Sequence, residues 1–228
     1  MSMGLRKKVI VYTAVFGSKD NILDPIRYPN VDYVCFTDND FKSEVWKVIL
    51  QPSQDSRTFP FLSPRMSARK FKILPHTFLN NYHSSLWIDG NVRLMANPIE
   101  LINTFLIDSN MACFAHPKRK CIYSEARPAS KRLGSEWRHK LAIKTQMRRY
   151  KRENYPKNNG LIESSILLRR HMESNVISLM NCWWNEIING SIRDQLSFNY
   201  CSYKQKFKYA IIPGKISKSK YFTRHEHI

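Results

Sequence analysis

Short, uninterrupted apolar runs constrain this chain more than any other feature. Val9-Ile10-Val11-Tyr12-Thr13-Ala14-Val15-Phe16 is rich in β-branched residues and stops at Gly17-Ser18. Asp32-Tyr33-Val34-Cys35-Phe36-Thr37-Asp38 is a second such run, ended by Asn39-Asp40, and Trp46 to Leu50 is a third, shorter one. A strand with one wet face alternates apolar and polar residues. These runs do not alternate, so they predict strands covered on both faces, as in a parallel sheet layered between helices. Met111 to Ala115, Leu161 to Arg169 and Tyr209 to Ile212 read as further strands. Helices are expected from Ser67 to Leu79 (with Pro75 leaving the end open), from Asn97-Pro98 onward, from Val176 to Ile188 and from Ser191 to Tyr203. Residues 51–64, with Pro52, Pro60 and Pro64, read as an ordered loop. Strands alternating with helices predict a single α/β domain over residues 1–228 built on a mostly parallel sheet. A basic helical insert at about 118–157 and a basic tail at about 204–228 are added to it.

Charge narrows the partners. The formal net charge is +19, from 37 basic and 18 acidic residues. An anionic partner follows: phosphorylated substrates, a membrane surface or nucleic acid. Lys and Arg crowd residues 118–152 against Glu125 and Glu136, while Leu133, Trp137 and Leu141 recur every four residues. That spacing predicts a basic amphipathic helix suited to a polyanionic or phosphorylated acceptor, to an anionic membrane surface, or simply to water. The chain has five cysteines and no C-x-x-C pair. No signal peptide precedes the first strand, so free thiols in a cytoplasmic setting are expected. No apolar run approaches the length of a membrane span, so any membrane contact is expected to be peripheral.

The chemistry concentrates at strand ends. In Trp87-Ile88-Asp89-Gly90-Asn91 an apolar strand delivers a carboxylate, a glycine and an amide. Asp89 and Asn91, two residues apart, suit a shared Mg²⁺ or Mn²⁺, and such cations hold substrate phosphates. The same three residues also make an ordinary turn. Ligands of open α/β sheets bind beyond the carboxyl ends of the strands. Thr13, Phe16 and Gly17 are therefore candidates for a base pocket, and Asp38 for a ribose or base contact, with strand packing and turn formation as the plain alternatives. Arg65, Arg69 and Lys72 precede the metal strand, and Arg69 and Lys72 share a helix face. They are placed to hold a diphosphate or to pair with a carboxylate. Glu163 and Trp184 are the acceptor candidates, and Lys218, with Lys215 and Lys220, is a candidate to close over the diphosphate.

The ordered set Tyr12-Thr13-Ala14-Val15-Phe16-Gly17, Cys35-Phe36-Thr37-Asp38, Trp87-Ile88-Asp89-Gly90-Asn91 and Arg193-Asp194-Gln195-Leu196-Ser197-Phe198 resembles GT-A glycosyltransferases. It is most similar to the glycosyltransferase-like family that includes plant pectin galacturonosyltransferases and many bacterial proteins. His116-Pro117-x-Arg119-x-Cys121-Ile122-Tyr123-x-Glu125-Ala126 and Trp183-Trp184-x-Glu186 share that likeness. A fainter likeness is to the glycogenin and lipopolysaccharide galactosyltransferase group. The resemblance covers about residues 9–200. It implies a GT-A-like fold, a nucleotide-sugar donor such as a UDP-sugar, Mn²⁺ or Mg²⁺, a glycan or lipid-linked acceptor, and retention of anomeric configuration. It also implies that Asp194 and Gln195 act at the reacting centre, although Ser191 and Asp194 at a helix start equally fit a capping box. A late histidine often joins the metal in such enzymes, which nominates His225 alongside His227. Asn91, where the family pattern often has Asp, is the departure that weakens the metal motif. A nucleic-acid-binding protein, a nucleotidyltransferase and a non-catalytic scaffold remain the rival readings. The first has charge alone behind it, and the second would need a better Gly-rich loop than Gly17-Ser18-Lys19-Asp20.

Overall fold

The covered strands expected from the apolar runs form one seven-stranded sheet. The computed structural model describes residues 8–17, 22–51, 63–132 and 137–225. The strands are β1 (Val9–Val15), β2 (Val31–Thr37), β3 (Lys47–Leu50), β4 (Ser84–Ile88), β6 (Met111–Ala115), β7 (Ile162–Arg169) and β8 (Ala210–Ile212), after a short β5 (Val92–Leu94) that lies outside this sheet. Their spatial order is β3-β2-β1-β4-β7-β6-β8. Strand β7 runs antiparallel to both neighbours, and every other pairing is parallel. The sheet is thus mostly parallel, as a GT-A-like α/β fold requires.

Period-two alternation sends successive residues of β1 to opposite faces. Ile10, Tyr12 and Ala14 join one core cluster with Trp87, Trp183 and Phe198. Val9 and Val11 join the other with Leu86, Ile88 and Leu101. The helices that cover these faces are α1 (Pro64–Ile73), α2 (Pro98–Phe105), α3 (Ile122–Arg132), α4 (Trp137–Arg152), α5 (Ser174–Ile188) and α6 (Phe198–Lys204). Asn97 caps α2, its side chain accepting from Ile99 N at 3.0 Å.

Four expectations need correction. The first helix spans Pro64–Ile73, and a separate 3-10 turn follows at Pro75–Thr77, because proline supplies no N–H to continue the ladder. The apolar spacing in the basic stretch marks the wet face: Trp137 and Leu141 are 65% and 50% exposed, and α4 instead buries Ile143, Gln146, Met147 and Tyr150. Leu133 lies outside the described residues, as do 52–62 of the expected loop. The stretch from Ser191 is a 3-10 turn at Asp194–Leu196 and then α6, so Ser191 caps no helix; its hydroxyl accepts from Arg193 N at 3.2 Å. The tail carries a strand the sequence reading omits, β9 (Phe222–Arg224), which pairs antiparallel with β5.

A buried cation anchors the last turn of α1 to the sheet. Arg169 is fully buried and donates from Nη1 to the Lys72 carbonyl at 2.8 Å and from Nη2 to the Tyr12 hydroxyl. Tyr12 donates to the same carbonyl at 3.1 Å. Burial pushes the Tyr12 hydroxyl up to about 12, with Arg169 opposing, so it stays a donor. No carboxylate is among these bonds; a peptide dipole at a helix C-terminus takes the positive charge. Arg169→Met should lose about 3 kcal/mol in urea unfolding, because it removes the charge-assisted bonds to the Lys72 carbonyl and the Tyr12 hydroxyl and leaves those two groups only each other. An unchanged midpoint would show that the anchor contributes nothing.

Candidate active site

The carboxyl ends of β1 and β4, the antiparallel start of β7 and the end of β6 open onto one cleft of about 1800 Å³. Helix α1 walls one side. It begins with Pro64 at its first position, where a missing N–H costs nothing. Arg65, Arg69 and Lys72 follow at spacings of four and three, so all three lie on one helix face, and all three line the cleft.

Lys72 is the centre of the charge network. Only 5% exposed, its Nζ lies 2.9 Å from Asp194 Oδ2, 3.3 Å from Asp89 Oδ1 and 3.2 Å from Ser164 Oγ. Ser164 also donates to Asp194 Oδ2 at 2.9 Å, and Arg69 Nη2 stands 3.9 Å from Asp194 Oδ1. Trp183 holds the 3-10 turn from behind, donating from Nε1 to the Asp194 carbonyl at 2.9 Å. Burial acts to raise the Asp194 pKa, but the charges of Lys72, Arg69 and Arg193 and the Lys72 hydrogen bond outweigh it and hold the carboxyl well below the usual range. Asp194 is therefore an anion at any physiological pH. Neighbouring Gln195 lines the cleft, accepts from Arg193 Nη2 at 3.0 Å and donates to the Ile162 carbonyl at 3.5 Å.

The site carries unused donors. Arg69 Nε and Nη1 and Arg193 Nε are buried without a hydrogen-bond partner. Buried donors are normally satisfied, so these guanidinium groups fit an oxygen-rich anion entering the cleft.

Asp89 sits where β4 ends. Its Oδ1 takes the Trp87 Nε1 bond at 2.8 Å as well as the Lys72 contact, and its side chain is 34% exposed. Neither contact uses Oδ2. Asn91 is 8% exposed and donates from Nδ2 to the His225 carbonyl at 2.9 Å, while His225 N donates to the Asn91 carbonyl at 2.9 Å. The β5–β9 ladder thus brings His225 against Asn91, across 134 residues of sequence, and into the cleft that Asp89 also lines. His227 lies outside the described residues. Among the described residues no three His, Cys, Asp or Glu side chains gather as a metal-binding group. Of the three metal candidates, Asp89 keeps an oxygen, Oδ2, outside both of its contacts and is the residue that could hold a divalent cation, whereas Asn91 is engaged with the tail through Nδ2.

On the far side of the cleft the acceptor candidate Glu163 lines the wall, whereas Arg224 and the ion partners of Glu125 were not read from the sequence. Glu163 accepts from Arg224 Nη1 at 2.6 Å, and Arg224 Nη2 reaches Ser165 Oγ at 2.7 Å. Glu125, fully buried, meets Arg119, Arg132 and, at 3.7 Å, His116 Nε2. Burial pulls the His116 imidazole below its usual value, against the pull of Glu125. Its Nδ1 accepts from Lys118 N and Arg119 N, which leaves the proton on Nε2 toward Glu125. The His116 to Ala126 segment resembles the family, and that was the available signal; its partners Arg132 and Glu163 come from elsewhere in the chain.

Five candidates fall outside the cleft lining. Thr13 is fully buried within the sheet, its Oγ1 without a partner. Asp38 instead secures a turn, accepting from Gly17 N at 3.0 Å. Gly17 has φ of +78° and a Cβ there would come within 2.9 Å of Pro64, so this glycine serves a tight turn against α1. Lys218 is exposed on a 3-10 turn and is not itself a lining residue, although Ser217 and Ser219 on either side of it are in the wall. Trp184 packs against the main core on α5; its neighbour Trp183 is the one that touches the site. Phe16 lines the cleft from the edge of the core, stacked on Phe71 with ring centroids 5.7 Å apart.

The charge network predicts a pH signature. A carboxylate whose folded pKa is depressed stabilises the fold above its unfolded pKa, and that stability fades as the pH falls toward the folded value. Asp194→Asn should therefore be less stable than the parent at pH 7, with the gap narrowing between pH 5 and pH 2. Urea titrations across that range would detect it, and a gap independent of pH would rule out an ionised Asp194.

A family model described as TOD1/MUCI70, glycosyltransferase-like domain, matches residues 2–223. A probable hexosyltransferase, MUCI70 of Arabidopsis thaliana, is 28% identical over 222 residues, covering 84% of this chain and 36% of that protein. An alkaline ceramidase, TOD1 of the same plant, is 24% identical over 226 residues, covering 84% of this chain and 47% of that protein. The chain thus spans less than half the length of either relative. Among solved structures, the apo form of mouse xyloside xylosyltransferase 1 aligns over 90% of this chain and 84% of its own at 10% identity, with a TM-score of 0.46. The match along nearly the whole sequence places the chain in the TOD1/MUCI70 glycosyltransferase-like domain family.

Proposed function

We propose that the cleft transfers a sugar from a nucleoside-diphosphate donor, expected to be a UDP-sugar, to a glycan or lipid-linked acceptor. The observation that carries this reading is the set of buried, unsatisfied guanidinium donors of Arg69 and Arg193 beside the Lys72–Asp194–Asp89 network. Breaking a sugar–phosphate bond puts negative charge on the departing diphosphate. Preorganised cations lower the barrier because they are already oriented when the charge appears. Arg65, Arg69, Lys72 and Arg193 supply that field. Phe16, at the end of β1, offers an apolar wall for the base.

Asp194, anionic and fixed by Lys72, Ser164 and the Trp183 contact to its carbonyl, stabilises positive charge developing at the anomeric carbon. Gln195 then faces the same centre from the next position. Retention of configuration is the expectation that the family likeness carries. Asp89, with Asn91 and His225, would hold Mn²⁺ or Mg²⁺, and such a cation would add Lewis-acid stabilisation of the diphosphate when bound. The exposed face of α4, with Trp137, Leu141, Arg138, Lys140 and Lys144, suits peripheral contact with an anionic membrane on the cytoplasmic side. No helix among the described residues is long and apolar enough to cross a membrane.

A ligand that binds the native state raises the melting temperature. UDP with Mn²⁺ should stabilise the protein by several degrees. Asp89→Ala should remain folded by circular dichroism, lose most of that shift and lower transfer and donor hydrolysis by about a thousandfold. Stabilisation by no nucleoside diphosphate, or undiminished turnover in Asp89→Ala, would refute the assignment.

A further inference from the structure

The cleft holds a second basic region, apart from the α1 face. Lys118 and Arg119 follow His116-Pro117 at the end of β6, and Arg132 reaches the cleft from the last turn of α3. Strand β6 lies beyond β7, two strands from β4 and its Asp89. At ordinary strand spacing the backbones of β4 and β6 are roughly 10 Å apart, so the two sets of cations rise from different parts of the wall.

A single buried acid stands behind this region. Glu125 is fully buried, with Arg119 Nη1 2.8 Å from Oε2 and Arg132 Nη1 3.1 Å from Oε1. One carboxylate needs one cation, yet it meets two guanidinium groups, with Lys118 exposed beside them. Each guanidinium has five N–H donors in a planar fork, and Glu125 engages one nitrogen of each. The side chains are 25% and 52% exposed, so the forks stand at the cleft wall while the carboxylate orients them from within. Arg132 Nη1 donates to Glu125 at 3.1 Å, while Arg119 Nη1 is buried without a hydrogen-bond partner, so both groups keep donors for an anion. An uncharged glycan would leave this excess charge unused.

We propose that Lys118, Arg119 and Arg132, oriented by Glu125, form an acceptor subsite for an anionic group on the glycan, a phosphate or a carboxylate. This deepens the transferase reading and rests on it. The subsite also answers a problem inherent in such a reaction: an anionic acceptor must enter beside an anionic donor. Cations dedicated to the acceptor offset that repulsion without drawing on those that hold the diphosphate.

The test uses the full chain and three oligosaccharide probes of equal length in isothermal titration: uncharged maltotriose, a trimer of glucuronate, and maltotriose phosphate. At least one charged probe should bind about tenfold more tightly than maltotriose, and which one identifies the anion. Lys118→Ala and Arg132→Gln should each weaken the charged probe by about fivefold and leave UDP affinity within about twofold. Lys118 is exposed and makes no core contact, so its variant keeps the experiment readable if Arg132→Gln folds poorly. Equal binding of charged and uncharged probes would overturn the proposal, as would charged binding that neither variant weakens. UDP affinity falling in parallel with the charged probe would also overturn it, by assigning these cations to the donor. Failure of UDP to bind the parent protein would strike the transferase reading instead, so the two failures are separable.

Discussion

One ammonium group joins the parts of this site. Lys72 Nζ touches Asp89 at the end of β4, Ser164 on β7 and Asp194 on the 3-10 turn before α6. Without it, two carboxylates would face each other in a poorly solvated cleft. Removing one partner of a buried ion pair typically costs about 3–5 kcal/mol, because the survivor is left desolvated and uncompensated. Lys72 is held at both ends of the residue. Its backbone carbonyl is gripped by Arg169 and Tyr12 in the core, while its ammonium reaches the cleft. The position of the charge is therefore set by the packing of the sheet against α1 rather than by a flexible side chain alone.

The C-terminal tail is the second constraint. Strand β9 pairs with β5, and the two-way bonding of Asn91 and His225 extends that pairing to the end of the described chain. Arg224 then reaches Glu163 and Ser165 on β7. A segment that looks like a basic appendage in sequence is thus one wall of the cleft. It also gives Asn91 a structural task, as the residue that fastens the tail beside Asp89.

Much of the scaffold was legible in the sequence. The apolar runs at Val9, Asp32 and Met111 became covered strands because a strand buried on both faces has no reason to alternate. Asn97-Pro98 opened a helix because a cap and a preset φ act locally. Other features failed for equally physical reasons. Trp137 and Leu141 have helical spacing but face water, since the amphipathic pattern does not say which face finds a neighbour. Ser191 and Asp194 match a capping box, yet Lys72 and Arg69 draw the Asp194 carboxylate away into the cleft. Trp183 and Trp184 are equivalent in a linear reading; only the rotation of α5 aims Trp183 at the Asp194 carbonyl and sets Trp184 against the core.

The sequence by itself determined the fold class, the strand ends at which chemistry is displayed, and the residue types that gather there. These follow from periodicity, turn chemistry and local order along the chain, which act over a few residues. Tertiary structure alone decided the pairings: Lys72 with Asp89 and Asp194, Asn91 with His225, Glu125 with Arg119 and Arg132. The reason is distance along the chain. The Lys72–Asp194 bond spans 122 residues and the Asn91–His225 bond spans 134. Charge and hydrogen-bonding capacity can be read from each residue, but which groups share a desolvated site depends on how the sheet, its helices and the tail pack.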